Sequence, residues 1–206
     1  IVPKDGDKVM TIKGDLTPIG ISQIGTSGAL IAVDYDGADS TGTQGKGVAS
    51  GATINQGSSG DTAVSGVRVF RSYPTITMLS LPTNTLDNGT KSLMRFKVTA
   101  NSTGDVGLYK FSIRVATTTV TLSAINAYAY TDSAFSTAVS GIGASGRMLN
   151  TDLAGTAWAS ASTQLEIYPQ TTAGVSTPIQ IPPGTSRYFD VTASVAGSAA
   201  GASVST

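Results

Sequence analysis

The residues best suited to chemistry are three aspartates in one short segment, Asp34, Asp36 and Asp39. They stand at alternating or near-alternating positions around a turn-forming glycine, and carboxylate oxygens so spaced can surround Ca²⁺. The segment lacks the twelfth-position Glu and the flanking helices of an EF-hand. A strand ending in an Asp-rich turn has the same composition without a metal. Both interpretations stay open, a calcium site at these aspartates or a plain turn, and no other cofactor is expected.

Other catalytic side chains are few. The chain has no histidine and no cysteine, which excludes Ser–His–Asp triads, Cys–His dyads and metal sites built on imidazole or thiolate. A paired-carboxylate hydrolase would have to use Glu166, the only glutamate. Alternation in its strand instead turns this side chain to solvent between two core residues. The sequence therefore predicts a protein that is not an enzyme.

Charge is low and balanced. Basic and acidic residues number 13 each and together make up 13% of the 206 residues, about half of the usual ~25%. With no net charge, nothing attracts nucleic acid or an anionic membrane, and no apolar run of ~20 residues predicts a membrane span. Low charge in a Ser- and Thr-rich chain favours an extracellular or cell-surface location.

Period-2 alternation of apolar side chains recurs along the chain and predicts an all-β protein. The predicted strands are residues 8–16, 28–35, 67–71, 74–81, 92–100, 107–116, 118–130, 163–168, 176–181 and 187–195. Turn-forming residues 101–105 separate two of them, which are expected to form an antiparallel hairpin. A single helical turn is expected near 132–138, capped by Thr131 or Asp132.

Three segments follow from this pattern: a strand pair in 1–36, a Gly/Ser/Thr-rich loop or linker in 37–66, and an antiparallel β-sandwich in 67–206. A lone two-strand ribbon is marginal in water. The N-terminal strands are therefore expected to dock on their own sandwich, to dock on a neighbouring copy, or to belong to a preceding domain. The small side chains after Val195 cover a core poorly, which predicts an open edge.

The N-terminal segment resembles a later part of the same chain. Residues 2–12 align without a gap on residues 181–191. In both, a Pro/Gly turn leads to a basic residue and then to a strand with one apolar face, although only the proline is identical. The match predicts that the chain opens with the closing strands of one β-domain and stops before the closing strand of the next, as in an end-to-end array.

Three segments, 65–76, 107–111 and 181–184, resemble the Ig-like β-sandwich repeats of large secreted surface proteins of prokaryotes. The resemblance covers most of 65–195, and residues 1–35 resemble the tail of a preceding repeat. Proteins of this group are stalks, S-layer-like coats, adhesins or fibre subunits. The resemblance implies an Ig-like sandwich mostly without catalytic residues, and it carries over no catalytic or binding residue.

Two functional hypotheses result. The first is a non-enzymatic extracellular structural subunit that polymerises with itself, end to end, by β-strand addition through its N-terminal strands. The alternative is a carbohydrate-binding or adhesin module with surface glycans as ligands. The aromatic side chains that can stack on a sugar are Trp158, Tyr109, Tyr128, Tyr130 and Tyr168. A half-buried core position is the competing interpretation of Trp158.

Overall fold

The computed structural model describes residues 1–20, 22–33, 35, 44–55, 65–148, 158–159, 163–171 and 175–206. Its strands, in chain order, are β1 (Ala29–Ile31), β2 (Gln44–Lys46), β3 (Thr53–Asn55), β4 (Val67–Val69), β5 (Pro74–Leu79), β6 (Gly89–Ala100), β7 (Val106–Leu108), β8 (Phe111–Thr118), β9 (Thr121–Tyr130), β10 (Trp158–Ala159), β11 (Thr163–Ile167), β12 (Ile179–Ile181), β13 (Ser186–Ala196) and β14 (Ser203–Ser205). A 3₁₀ turn spans Ala144–Gly146. The all-β prediction is confirmed.

The chain divides into two compact units, Ile1–Arg71 and Ser72–Thr206. In the first unit, β1 pairs antiparallel with β4, and β2 pairs with β3 in a short hairpin. The strand predicted for residues 8–16 does not form. The apolar alternation is present there, but a strand also needs a neighbour for its backbone groups, and none of the described residues supplies one.

The second unit contains the core. Its larger sheet has the order β10-β9-β13-β6-β5, the smaller one has the order β11-β8-β14, and β7 pairs with β12. Three phenylalanines join the two sheets: the ring of Phe96 lies 4.9 Å from that of Phe189 and 5.2 Å from that of Phe111. The antiparallel sheets therefore pack face to face around one apolar core, as in a β-sandwich. The Ig-like strand order remains a prediction.

The hairpin predicted between 92–100 and 107–116 is wrong. β6 pairs with β5 and β13 in the larger sheet, whereas β8 pairs with β11 and β14 in the smaller one. The turn after β6 leads instead into the short β7, which pairs with β12. Alternation identifies the strands. The apolar face of any strand can pack on the same core, so the pattern does not determine which strands pair with each other.

The C-terminal residues also differ from the prediction. Ser203–Ser205 form β14 on the edge of β8, and Val204 packs against the core. A strand of three residues needs only one apolar side chain that faces the core, and Val204 supplies it. The tail therefore covers part of the edge that the sequence predicted to be open.

The helical turn predicted near 132–138 is wrong as well, although one predicted cap is present. The Asp132 carboxylate accepts hydrogen bonds from the amides of Ala134 and Thr137, at 2.9 and 2.6 Å. The Thr137 amide above all holds the pKa of Asp132 at about 2. Phe135 has a left-handed φ of 57°, which stops a helix from forming, so the segment is a turn closed by its own aspartate.

Candidate assembly site

The N-terminal segment from residue 8 to residue 16 carries exposed apolar side chains and is not part of a strand. Met10 and Ile12 are 83% and 69% exposed, and they alternate with the polar Thr11. Among the described residues, no strand pairs with this segment. Such a row of unpaired amides and carbonyls beside an apolar stripe is a template for pairing with another strand.

Its local structure matches that of a core strand later in the chain. The amide of Gly6 donates to the carbonyl of Pro3 at 3.2 Å, and the amide of Thr185 donates to the carbonyl of Pro182 at 3.1 Å. The third residue of each turn is left-handed, with φ of 57° at Asp5 and 67° at its counterpart, a glycine. The aligned residues therefore form the same turn in both places.

A second pair of turns extends the match. The amide of Ala29 donates to the carbonyl of Thr26 at 3.2 Å, and the amide of Ala202 donates to that of Ala199 at 3.0 Å. The glycine before each donor has φ of 83°. The first of these turns leads into β1 and the second into β14. Residues 3–31 thus share with 182–205 a first turn and a later turn that leads into a strand, although a further turn at Gly20–Gln23 lies between the two in the N-terminal segment.

The alignment indicates which way residues 8–16 would face in a sheet. Its counterpart is β13, the middle strand of the five-stranded sheet. Met10 and Ile12 align with Phe189 and Val191, each of which is 1% exposed in the core. The N-terminal segment therefore has the turn and the apolar pattern of a core strand, but none of the described strands lies beside it to bury it.

The sandwich has an apolar overhang at one edge. Among the described residues, β5 pairs only with β6. Met78 lies opposite Phe96, and Ile76 lies opposite Val98, so both point to the core side of the sheet. They are nevertheless 60% and 61% exposed. In the part of the chain that the structure describes, the smaller sheet therefore does not extend over β5.

Met78 and Ile76 are exposed because the described strands of the smaller sheet leave β5 uncovered. β11 pairs with residues 111–115 of β8, whereas β14 reaches only residues 116–118 of the opposite edge. A cavity of about 210 Å³, lined by Leu81, Leu93 and Val204 among others, shows that β14 lies above the start of β6. Among the described residues, residues 111–115 therefore have no partner on that edge.

This open position lies over the exposed side chains of β5. Phe111 packs on Phe96, and the neighbour of Phe96 in the sheet is Met78. A strand beside residue 111 on that edge would therefore pass over Met78. We call this position, bounded by residues 111–115 of β8 and by Met78, the acceptor groove.

A charged cluster covers the outer face of the larger sheet. Nε and Nη2 of Arg95 donate to Oδ2 of Asp190 at 2.8 and 2.7 Å, and Oγ of Ser92 donates to the same oxygen at 3.0 Å. The Arg95 guanidinium lies 4.1 Å from the ring centre of Phe135, and that ring contacts Tyr130. The Asp132 turn thus covers an ion pair whose aspartate is only 5% exposed.

A second polar cluster joins two of the tyrosines considered for sugar binding. The rings of Tyr109 and Tyr168 meet edge to face with their centres 5.9 Å apart, and Tyr109 is 56% exposed. The Tyr168 hydroxyl and Lys110 both donate to Glu166, at 2.7 and 3.0 Å. The tyrosine bond and then the lysine lower the pKa of Glu166, and the bond to Glu166 raises the pKa of Lys110.

The remaining sequence-predicted residues are scattered. Asp34, Asp36 and Asp39 lie outside the described residues, so the calcium site stays a prediction. Trp158 begins β10, opposite Leu122 of β9. Tyr128 and Tyr130 belong to the outer face of the larger sheet, away from the Tyr109–Tyr168 pair. Sequence reasoning missed the acceptor groove, because its two sides come from strands whose pairing the pattern does not specify.

No family model, curated protein or solved structure matches this chain. The described residues contain no helix that is long and apolar enough to cross a bilayer.

Proposed function

We propose that the protein is a non-enzymatic extracellular structural subunit that assembles end to end by β-strand addition into a surface filament or coat. Two features of the chain support this proposal. Among the described residues, residues 8–16 have the apolar pattern of a core strand and no partner strand, and the second unit has an unpaired strand edge beside exposed core-facing side chains. The low charge and the Ser- and Thr-rich composition support the extracellular location.

The free energy expected from burying the N-terminal side chains is large enough for reversible assembly. Fully burying a Met or Ile side chain contributes about 2 kcal/mol, and main-chain hydrogen bonds to a sheet edge add to it. Fixing one chain on another opposes this with at least ~4 kcal/mol. A joint built on Met10 and Ile12 is therefore expected to be of modest affinity, so assembly should depend on protein concentration.

Substitution of the apolar face should abolish assembly. We expect the double variant Met10→Asp, Ile12→Asp to form no filaments under the electron microscope at concentrations where the parent chain does, because two carboxylates cannot enter an apolar groove. Both side chains are already exposed, so the melting temperature should not change. The matched control is Thr11→Asp with Thr17→Asp, which adds the same charge on the odd-numbered side and should still assemble. Filaments of equal length from both double variants would contradict the proposal.

Glycan binding is the second candidate, and the exposed Tyr109–Tyr168 pair favours it. Aromatic rings beside a carboxylate and an ammonium group offer both a stacking surface and polar contacts. We expect Tyr109→Ala to weaken binding to any glycan recognised on an array by about tenfold, since an aromatic contact contributes on the order of 1 kcal/mol. Tyr73→Ala, which removes a similarly exposed tyrosine, is the control. An array without signal for the parent chain would reject this candidate.

A further inference from the structure

We infer that the free edge of β5 pairs with the same edge of a second copy of this chain, antiparallel and about a two-fold axis at Thr77. Among the described residues, β5 is an end strand of the larger sheet and pairs only with β6. The contact would join the larger sheets of two copies side by side. It is therefore separate from the end-to-end joint proposed above and does not depend on it.

The backbone groups that β5 directs away from the sheet follow from its pairing with β6. The amide of Asn101, which follows β6, donates to the carbonyl of Tyr73, which precedes β5, at 3.2 Å. In an antiparallel pair, alternate residues direct their amides and carbonyls to the partner strand. The odd-numbered residues of β5 therefore bond to β6, whereas Ile76 and Met78 direct their amides and carbonyls outward. Pro74, which has no amide, takes the first outward position, where a proline removes no bond of the sheet.

One register satisfies all of these outward groups. With Ile76 of one copy opposite Met78 of the other, the pair exchanges two main-chain hydrogen bonds, and the two-fold axis makes a second, identical pair. A shift of two residues one way would place Met78 opposite Pro74, which cannot donate to its carbonyl. The same shift the other way would place Ile76 opposite Ser80, beyond the end of β5. A shift of one residue would set apolar side chains against polar ones. The axis therefore passes between the Thr77 residues of the two copies.

The side chains of β5 suit a copy of the same strand. Ile76 and Met78 are 61% and 60% exposed. In this register each would lie across from the other residue of the second copy, where apolar cross-strand pairs stabilise a sheet. β5 carries no charged residue, so two copies can approach without repulsion, and its register with β6 is unbroken. Charges and bulges are devices that prevent exposed edges from pairing, and β5 has neither.

Single cysteines test both the contact and its register, because the chain has no cysteine of its own. In the paired edges, Thr77→Cys places two cysteines at the axis with their Cα atoms about 4.5 Å apart, which a disulfide can join. Thr75→Cys is the matched control on the same face of the same strand. Its two copies would lie roughly 14 Å apart, at about 3.4 Å per residue. After mild oxidation of the full chain, we expect about tenfold more covalent dimer from Thr77→Cys than from Thr75→Cys.

A proline variant tests the main-chain bonds. In the Thr77→Cys chain, Ile76→Pro removes an outward amide without removing a bond to β6. We expect the yield of covalent dimer to fall about tenfold while the melting temperature stays near that of the parent chain. Ile76→Val, which keeps the amide, is the matched control and should leave the yield unchanged.

Several results would overturn the inference. Equal yields from Thr77→Cys and Thr75→Cys, or no covalent dimer from either, would show that the two edges do not meet in this register. A yield that Ile76→Pro does not lower would show that main-chain bonds do not make the contact. A disulfide between Thr77→Cys and Thr11→Cys chains, in place of the Thr77→Cys dimer, would assign the edge to the N-terminal segment instead. Filaments of the parent chain are scored separately, so each of these results leaves the proposed function to its own test.

Discussion

Replacing Phe189 by alanine is expected to lower the free energy of unfolding by about 4 kcal/mol, the largest effect of any single substitution considered. Phe189 is 1% exposed, and its ring stacks on Phe96 at 4.9 Å and packs against Phe111 at 5.0 Å. It therefore joins the middle strand of one sheet to the facing sheet. Truncation removes the buried ring and leaves a cavity beside Phe96 and Phe111, which already contact each other.

Urea unfolding of the full chain measures this loss as a shift of the midpoint. Phe70→Ala is the control, because Phe70 is 52% exposed in the first unit and an exposed substitution changes stability by about 0.5 kcal/mol or less. Equal shifts for the two variants would show that the three-ring contact does not hold the sheets together.

Asp190→Ala is expected to lower the free energy of unfolding by about 3 kcal/mol, the low end of the range for breaking a buried ion pair. The carboxylate accepts both hydrogen bonds of Arg95 and one from Ser92. Its loss leaves the Arg95 guanidinium covered by Phe135 without a counter-charge. Because Arg95 retains about a fifth of its side-chain exposure, water offsets part of the loss and the upper end of the range is not reached.

Two further variants distinguish the loss of the buried ion pair from the loss of a surface charge. Glu166→Ala removes one half of the exposed pair with Lys110 and should leave the unfolding midpoint nearly unchanged, since surface pairs contribute little. Replacing both partners, with Arg95→Met and Asp190→Leu, should restore stability relative to Asp190→Ala alone. A double variant less stable than the single one would contradict this account of the cluster.

The sequence identifies strands more readily than it identifies their neighbours. Leu93 to Ala100 and Phe111 to Val115 alternate as core strands should, and both are strands. Their assignment to one hairpin fails because the intervening turn leads into β7, a strand of only three residues. The same limit explains residues 8–16, where the pattern of a strand is present and the described residues provide no partner.

The burial of Asp190 could not be predicted from the sequence. Alternation along β13 places Asp190 on the outer, polar face, and the structure agrees. Nothing in that strand predicts that Phe135, distant in sequence, would lie over Arg95, the partner of Asp190. Phe135 also has a left-handed φ, which is rare for an aromatic residue, so no sequence rule would have selected it. The acceptor groove was missed for a similar reason, because it exists only where two sheets differ in width.

The position of β13 in the chain affects how the protein is made. This strand separates β6 from β9 in the finished sheet, and its contact with β6 joins residues 95 positions apart. A ribosome adding about 5–20 residues per second therefore leaves β6 without its inner neighbour for several seconds. During that interval the nascent chain exposes an unpaired edge on β6 and another on β9, and each is a place where a strand of another chain can pair before Ala196 has been synthesised.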